Sequence, residues 1–322
     1  MATQTEIKPV QERFLLDPGL MAGSIYRKYE KATRKFWDPK DFDYSQDAAD
    51  WAGLTEDQRR GILTITVRIE AGEQAVTDEI IPMVAGAHAL GRFDWVMFLS
   101  TFMLDEARHS EFFAIWHREV AGLDEPHQKA AYWPERQDTV DPSGRFHTGE
   151  PVYEGIPRYG EALMDATRTH DTRAIEQAFI RFSALYNTWV EGVLTMPTYE
   201  IVVDTLDAWG GVLPTLKAGF KGILADEGRH ITFGTEACRI LIAEHPEHEA
   251  LVHELIDEYR ANAVGMLEYQ RNVPGLDLQK YQTQKVRHYR NRCREMGISP
   301  DEALIEQILD PTIDFVVGIQ AG

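Results

Sequence analysis

Two identical five-residue patterns contain the side chains best suited to metal chemistry in this chain. Residues 105–109 and 226–230 both read Asp-Glu-x-Arg-His. In each pattern the glutamate and histidine are three residues apart, so on a helix both project from one face within reach of one metal ion. Carboxylates are hard oxygen donors and imidazole is a borderline nitrogen donor, a combination that suits iron or manganese. Because thiolate ligands are absent from both patterns, an iron–sulfur cluster is disfavoured.

A further glutamate precedes each pattern, on the apolar side of an earlier helix: Glu73 before the first and Glu191 before the second. Two antiparallel helix pairs, each giving Glu plus Glu-x-x-His, form the inward-facing ligand set of a di-iron or di-manganese carboxylate bundle. Glu70 shares a helical face with Glu73, but it lies one turn further from Glu106 in an antiparallel hairpin. The predicted metal ligands are therefore Glu73, Glu106, His109, Glu191, Glu227 and His230.

The aspartate and arginine of each pattern have a predicted supporting role. A metal-bound histidine needs its other ring nitrogen held by a carboxylate, which fixes the tautomer and the orientation of the ring. We expect Asp105 and Asp226 to accept such hydrogen bonds, each from the histidine of the other helix. Arg108 and Arg229 are expected to orient these two carboxylates.

Apolar residues at helical spacing predict the elements that position these groups. The four bundle helices are predicted over about 59–87, 93–121, 172–207 and 213–243, with Thr55 as the N-cap of the first. Pro82 and Pro197 are expected to kink the first and third helices. Further helices are predicted over about 247–270, 277–296 and 301–310. Because strand-type alternation is confined to brief stretches, the predicted fold is all-α, a ferritin-like four-helix bundle with additional flanking helices.

We expect one domain over 1–322, with the core bundle at about 58–243. Residues 1–54 are predicted to form an N-terminal arm with helical pieces, and 247–310 to supply the extra helices. Five prolines interrupt residues 122–160, which predicts a long connection with little regular structure. So long a segment in a compact domain is usually functional or a lid, or it runs across the bundle from end to end.

Charge and composition exclude several classes of protein. There are 33 Lys and Arg against 52 Asp and Glu, a net charge of −19, which disfavours a nucleic-acid partner. Four buried glutamates neutralised by two divalent cations would account for part of this charge. Because no apolar run approaches the roughly 20 residues that span a bilayer, no membrane span is predicted. Two cysteines and a start without a signal-peptide pattern predict a soluble cytoplasmic protein.

With these residues, the bundle region 58–243 resembles the ribonucleotide reductase small-subunit superfamily. It is most similar to an offshoot, the small-subunit-like ligand-binding oxidases with a manganese/iron cofactor. Phe113 stands where radical-bearing reductase subunits have their tyrosine, and the first ligand, Glu73, is an aspartate in many of those subunits. Val76 and Tyr186 match the valine and tyrosine that the oxidase family joins by an ether cross-link.

The resemblance implies a two-electron oxidase that uses dioxygen. It implies manganese at Glu73, Glu106 and His109 and iron at Glu191, Glu227 and His230, with Glu106 bridging the two metals. In the first turnover Val76 Cβ would be oxidised and trapped by the Tyr186 oxygen. The family also implies a long-chain fatty acid or similar apolar ligand whose carboxylate coordinates the metals, and a homodimer.

Three other functions are compatible with the same residues. A di-iron acyl desaturase or hydroxylase also contains Glu-x-Arg-His. A ribonucleotide reductase small subunit without the radical tyrosine would need a large partner subunit. A ferritin-like metal store would need assembly from many subunits. The ligand set also accepts two irons, since manganese and iron share it.

Overall fold

Helices dominate the computed structural model, which describes residues 18–132, 139–140, 146–147, 151–265, 275 and 277–313. The described part of the N-terminal arm contains α1 (Pro18–Met21), α2 (Ser24–Arg34), a 3₁₀ turn (Pro39–Asp41) and α3 (Ser45–Gly53). The fold class predicted from the sequence is confirmed. The exceptions are two short strands, β1 (Thr139–Val140) and β2 (Phe146–His147), which pair antiparallel.

The first antiparallel pair of the bundle consists of α4 (Glu56–Glu79) and α6 (Phe93–Glu119), with α5 (Ile81–Ala89) between them. Thr55 begins α4 as predicted: its hydroxyl accepts from the Gln58 N–H, and the Gln58 side chain accepts from the Thr55 N–H. The predicted break near Pro82 divides one long helix into α4 and α5, because proline is favoured in a first helical turn and disfavoured in an interior.

The second antiparallel pair consists of a continuous helical run and α11 (Pro214–Glu244). The run contains α9 (Thr172–Ser183), a π-helical segment (Ala184–Thr195) and α10 (Met196–Ala208). Sequence reasoning predicted a helix over this whole stretch, with a kink at Pro197, and missed the π-helical winding just before that proline. A π-helix bonds residue i to residue i+5, is rare, and is frequent at functional sites.

The connection between the two pairs is more regular than predicted. Helix α7 (Pro126–Ala130) begins soon after α6, and α8 (Pro151–Thr169) begins well before the predicted end of the connection at residue 160. The prediction of little regular structure over 122–160 is therefore wrong at both ends. Pro126 and Pro151 are the first residues of helices, a position where the missing N–H of proline costs nothing.

Further helices follow α11 in the chain. They are α12 (Glu249–Glu258), α13 (Arg260–Val264), α14 (Leu278–Met296) and α15 (Glu302–Leu309). Helix α14 packs against the π-helical segment and α11. Parts of the predicted arm and helices, residues 1–17 and 266–270, lie outside the described residues.

The arm is tied into the bundle through a buried aspartate. Asp47 of α3 accepts hydrogen bonds at 2.8 Å from the backbone N–H groups of Thr215 and Leu216, at the start of α11, and from Trp116 Nε1. These backbone donors have no partner within the helix, so a carboxylate there satisfies them and complements the helix dipole. Helix α11, which holds the second metal-binding pattern, is therefore anchored from the arm.

Two apolar clusters flank the middle of the bundle. One contains Phe98 and Phe102 of α6, and the other contains Phe112 and Trp116 further along the same helix. The first Asp-Glu-x-Arg-His pattern lies between them, so its polar residues are enclosed by apolar layers on both sides. Among the described residues, no helix is both long enough and apolar enough to cross a membrane.

Candidate metal centre

The six residues predicted as ligands converge in two overlapping groups in the centre of the bundle. In each group, one potential ligand atom per residue lies within 4.8 Å of the others. The groups are Glu73, Glu106, His109 and Glu227, and Glu106, Glu191, Glu227 and His230. Glu106 and Glu227 belong to both groups, whereas the family resemblance implied a bridging position for Glu106 and did not mention one for Glu227. All six residues are buried.

Both histidines direct the same ring nitrogen into the cluster. His109 Nδ1 lies 3.5 Å from Glu106 Oε2, 3.6 Å from Glu73 Oε2 and 3.7 Å from Glu227 Oε1. His230 Nδ1 lies 2.9 Å from Glu106 Oε1 and 3.5 Å from Glu227 Oε2. The opposite nitrogen of each ring, Nε2, is therefore left to face outward.

Each outward nitrogen meets the aspartate of the other helix, in the crossed arrangement expected from the sequence. His109 Nε2 lies 3.1 Å from Asp226 Oδ2, and His230 Nε2 lies 3.3 Å from Asp105 Oδ2. Arg229 Nη2 donates to both carboxylates, at 3.0 Å to Asp105 and 2.5 Å to Asp226. One guanidinium thus links the two carboxylates that orient the two histidines.

Arg108 connects Asp105 to the N-terminal arm. Its Nη2 donates to Asp105 Oδ1 at 3.1 Å, and its Nη1 donates to the backbone oxygen of Trp37 at 2.9 Å. Trp37 Nε1 donates to Asp226 Oδ2 at 2.7 Å, and its ring stacks on His109 at 6.1 Å between centroids. Nothing in the sequence indicated that Trp37 of the arm would lie near the centre.

Two further donors hold the glutamates that lie outside the repeated patterns, and neither was predicted. The Tyr199 hydroxyl donates to Glu73 Oε1 at 2.8 Å. Asn187 Nδ2 donates to Glu191 Oε2 at 3.1 Å. Both donors come from the third bundle helix, so one helix orients a glutamate of each group.

The π-helical winding determines where Tyr186 lies. In an α-helix, with about 100° per residue, side chains five apart point in different directions, whereas i to i+5 bonding stacks them. Tyr186 and Glu191 are five residues apart within the π-helical segment. The Tyr186 ring stacks on Phe102, at 5.9 Å, and on Phe182, at 6.1 Å. Phe102 in turn stacks on His230, at 3.6 Å between ring centroids.

Val76 and Tyr186 are found in the same apolar cluster. Tyr186 is one of its buried members, and Val76 is a partly buried residue packed against it. Val76 lies on α4, one turn after Glu73. The buried hydroxyl of Tyr186 interacts with the Glu191 carboxylate, although no contact of this hydroxyl with a described residue meets hydrogen-bond geometry. Burial and the nearby carboxylates of Glu106 and Glu191 hold the pKa of Tyr186 well above its usual range.

The neighbouring carboxyl groups resist simultaneous ionisation. Burial, together with the negative charge of neighbouring glutamates, holds the pKa values of Glu106 and Glu227 well above their usual range. Burial raises the pKa of Glu191 to about 8, although the interactions with the Tyr186 hydroxyl and the Asn187 amide oppose the shift. These three glutamates therefore hold their protons more tightly than exposed glutamates do, unless another cation replaces those protons.

Asp226 and His109 form a pair in which the pKa of the carboxyl is lowered and the pKa of the imidazole is raised. Burial alone would raise the pKa of Asp226, but the hydrogen bond from His109 and the charge of Arg229 lower it to about 2. Burial alone would lower the pKa of His109, but the Asp226 and Glu73 carboxylates raise it to about 10. Asp226 is thus ionised whenever the protein is folded near neutral pH, as a carboxylate that orients a ligand histidine should be.

Several buried ligand atoms point into the cluster without a hydrogen bond. They are Glu106 Oε1, His109 Nδ1, Glu191 Oε1, Glu227 Oε2 and His230 Nδ1. Unsatisfied buried polar atoms are rare and need an explanation, such as an ion. Carboxylate oxygens and neutral imidazole nitrogens are the donors that iron and manganese accept. The residues present therefore fit a dinuclear metal site.

Phe113 and Glu70, which the sequence analysis did not assign as metal ligands, both lie outside the ligand cluster. Phe113, four residues after His109, is fully buried in the second apolar cluster. Glu70 pairs away from the metal centre, with His117 Nδ1 at 2.7 Å and Lys129 Nζ at 2.6 Å. The geometry thus agrees with the choice of Glu73 over Glu70.

Comparison with known proteins supports the same conclusion. Residues 22–145 match the family model described as ribonucleotide reductase, small chain. The fold is similar to that of a glycine-to-phenylalanine variant of an R2-like ligand-binding oxidase with a Mn/Fe cofactor. That comparison gives a TM-score of 0.69 and 27% identity, covering 90% of this chain and 97% of the other.

Two further solved structures of R2-like ligand-binding oxidases show the same likeness. A glycine-to-leucine variant with a Mn/Fe cofactor has a TM-score of 0.70 and 26% identity, covering 91% of this chain and 99% of the other. Another, with a non-activated Mn/Mn cofactor, has a TM-score of 0.67 and 28% identity, covering 87% and 94%. The resemblance predicted from the sequence is confirmed.

Proposed function

We propose that this chain, which is similar to the R2-like ligand-binding oxidases with a Mn/Fe cofactor, is a dioxygen-activating dinuclear oxidase. We assign manganese to Glu73, Glu106 and His109, and iron to the group that contains Glu191 and His230. Two irons are the alternative occupants. The proposal further includes a long-chain fatty acid or similar apolar ligand close to the metals, and an internal ether bond between Val76 and Tyr186.

The observation that carries the proposal is the pair of overlapping buried groups, each with three glutamates and one histidine. Four glutamates so close together need positive charge, and no lysine or arginine among the described residues pairs with any of the four. Two divalent cations would replace the protons that the raised carboxyl pKa values retain. Sharing of Glu106 and Glu227 would hold the two ions close enough to act as a pair.

When bound, such a metal pair supplies the reduction of dioxygen and the oxidation of a nearby C–H bond. The residues around it orient and enclose the site. Asp226 and Asp105 hold the outward nitrogens of the histidines, which keeps each Nδ1 free to bind metal. Phe102 lies against His230 and excludes water from that side.

The proposed cross-link joins Val76 Cβ to the Tyr186 phenolic oxygen. Val76 Cβ loses a hydrogen, the Tyr186 hydroxyl loses its proton, and a C–O bond forms between them. Two protons and two electrons leave in total, and dioxygen accepts the electrons. Burial and the nearby carboxylates hold the pKa of Tyr186 well above its usual range, so the phenol stays protonated until this step.

The apolar cluster around Tyr186 favours an apolar ligand over a charged one. Its members near Tyr186 include Phe102 and Phe182, whose rings stack on it. A fatty acid would place its chain among such residues and its carboxylate at the metals. Titration with a radiolabelled long-chain fatty acid would measure this binding.

The proposed assembly is a homodimer.

The experiment that tests the proposal is peptide mass analysis of protein assembled with manganese and iron in air. A peptide pair containing Val76 and Tyr186 should be about two mass units lighter than the sum of its parts, since two hydrogens are lost. Anaerobic assembly and Tyr186→Phe should both abolish it. Tyr289→Phe is the matched control, because Tyr289 is also buried but accepts from the Asp301 N–H, away from the metals.

If air-exposed, metal-loaded protein yields only the two unmodified peptides, the cross-linking oxidase is wrong. The di-iron acyl desaturase or hydroxylase would then be the better proposal, since it needs the same ligands and no cross-link.

A further inference from the structure

Asn187 contacts Glu191 in a way that leaves one of the two carboxylate oxygens free. Its Nδ2 donates to Glu191 Oε2 at 3.1 Å, and both side chains are buried in the π-helical segment. Glu191 Oε1, by contrast, is buried without a hydrogen bond. The amide therefore occupies one oxygen of this carboxylate and leaves the other for the metal centre.

The orientation of the Asn187 amide is set by its neighbour one turn earlier. Ser183 Oγ lies 3.2 Å from Asn187 Oδ1 and can donate to it. A metal-binding carboxylate accepts hydrogen bonds, so the NH₂ group is the end of the amide that faces Glu191, and Oδ1 faces Ser183. The single hydroxyl hydrogen of Ser183 is shared between Asn187 Oδ1 and the backbone oxygen of Gly234 on α11, which lies 3.3 Å from Oγ.

Gly234 provides the space that Asn187 occupies. A Cβ at this position would lie 2.3 Å from Asn187 Cβ and 2.7 Å from its Cγ. Contacts this short cannot be accommodated by rotation of a flexible side-chain end, since Asn187 Cβ is fixed to its backbone. Gly234 is one turn after His230 on the same helix. Any side chain here would therefore move Asn187 relative to Glu191.

We propose that Asn187 is a positioning residue for the metal ligand Glu191, and that glycine at 234 and serine at 183 are required for that role. Asn187 limits Glu191 to one free oxygen and points that oxygen at the group containing His230. The inference rests on the proposed metal-binding function. It concerns one half of the centre only, because the corresponding hydrogen bond in the other half comes from Tyr199 to Glu73.

The test is anaerobic titration of the metal-free protein with Mn²⁺ alone, followed by equilibrium dialysis and elemental analysis. Asn187→Ala removes the amide donor without adding bulk. Its affinity for one of the two equivalents should fall by roughly 10–100-fold, the usual cost of removing a residue that orients a ligand. The other equivalent, held by Glu73 and His109, should bind as in the parent.

A pair of glycine variants separates the contact with Asn187 from a general effect on α11. Gly234→Ala should weaken the same equivalent, because the new Cβ displaces Asn187. Gly228→Ala is the matched control, since a Cβ there would meet nothing within 4 Å, and the first pattern has alanine at the same place. It should bind both equivalents with parental affinity.

The double variant Asn187→Ala, Gly234→Ala distinguishes positioning from packing. Removing the amide also removes the steric clash, so the double variant should melt at a higher temperature than Gly234→Ala alone. Metal affinity should nevertheless stay low, because the donor to Glu191 is still missing. Recovery of both melting temperature and metal affinity would mean that Asn187 only fills space.

Two outcomes overturn different statements. If Asn187→Ala binds two equivalents as tightly as the parent, the positioning role is wrong and the proposed function stands. If the parent itself binds fewer than two equivalents, the dinuclear function fails. A far-UV circular dichroism spectrum of each metal-free variant shows whether it is folded. Ser183→Ala should weaken the same metal equivalent, but by less than Asn187→Ala does.

Discussion

Two clusters of acids and histidines share the helices α4 and α6, and their charges are balanced differently. In the outer cluster, Glu70 accepts from His117 Nδ1 at 2.7 Å and from Lys129 Nζ at 2.6 and 2.7 Å. His117 Nε2 lies 2.8 Å from the Thr66 hydroxyl. Burial alone would raise the pKa of Glu70, but the bonds from His117 and Lys129 lower it. The charge of Glu70 is therefore balanced by side chains of the protein itself.

In the metal centre, two turns away along α6, no lysine or arginine of the described residues balances the charge of the glutamates. Its arginines, Arg108 and Arg229, lie behind the aspartates rather than among the glutamates. Burial and mutual repulsion therefore raise the pKa values of Glu106 and Glu227 instead of lowering them. The presence of buried acids and histidines is therefore not enough to identify a metal site. Ligand atoms left without a protein partner are the more specific sign.

The strongest test of this contrast is the removal of one shared glutamate. Glu106→Ala should lose both metals or retain them in the wrong proportions, because Glu106 contributes to both groups. Elemental analysis of protein loaded with manganese and iron measures the outcome. Full occupancy by two metals in this variant would contradict the assignment.

Glu70→Ala is the matched control on the same helix. It should keep both metals, because Glu70 belongs to neither group. It leaves His117 and Lys129 without their carboxylate, so stability should fall by about 1–3 kcal/mol. Urea unfolding of the metal-free protein would measure that loss. Loss of metal from this control would mean that the two clusters are not separate.

A smaller effect is expected from the carboxylate that orients His109. Asp226→Ala should retain metal but bind it roughly 10–100-fold more weakly, since it removes an orienting group and no ligand. Asp226→Asn keeps an oxygen that can accept from His109 Nε2 or Trp37 Nε1, and should lose less. Competition with a chelator of known affinity measures both variants. Parental metal affinity and turnover in Asp226→Ala would show that Asp226 has no orienting role.

The smallest expected effect is a pH dependence of the metal-free protein. The Glu191 carboxyl, with a pKa of about 8 when folded and 4.5 ordinarily, binds its proton more tightly in the folded state. Its stabilising contribution is therefore complete below pH 4.5 and is lost as the pH rises towards 8. His109, raised to about 10, acts in the same direction between pH 6.5 and 10.

The Tm of metal-free protein should accordingly fall between pH 5 and 8, while that of metal-loaded protein should change less. Differential scanning calorimetry at matched ionic strength measures both curves. A metal-free Tm that rises over this range would mean that the glutamates are already compensated by other groups.

The sequence was sufficient to predict which side chains come together at the candidate metal centre, because the repeated pattern is local. A spacing of three residues on a helix places Glu106 beside His109, and Glu227 beside His230, whatever the details of the bundle. The crossed pairing of Asp226 with His109 was also predictable, because an antiparallel bundle brings the two patterns face to face. The all-α fold followed from periodicity and from the prolines that separate the helices.

The partners supplied from distant or irregular segments were not predictable. Trp37 reaches Asp226 from the arm, and Tyr199 reaches Glu73 across the bundle. Neither contact has a fixed sequence spacing. The π-helical winding at Asn187 and Glu191 also escaped prediction, since apolar periodicity over a fully buried helix does not distinguish π from α. The second shared ligand, Glu227, depends on side-chain positions that spacing does not give.

The most direct test of the dinuclear manganese/iron assignment is anomalous diffraction from crystals of air-assembled protein, with data collected at the manganese and iron edges. The account predicts two peaks inside the ring of four glutamates. Manganese should lie beside Glu73 and His109, and iron beside Glu191 and His230, with electron density joining Val76 to Tyr186. Two peaks that both belong to iron would favour the di-iron alternative. A single peak, or none, at these residues would contradict the account.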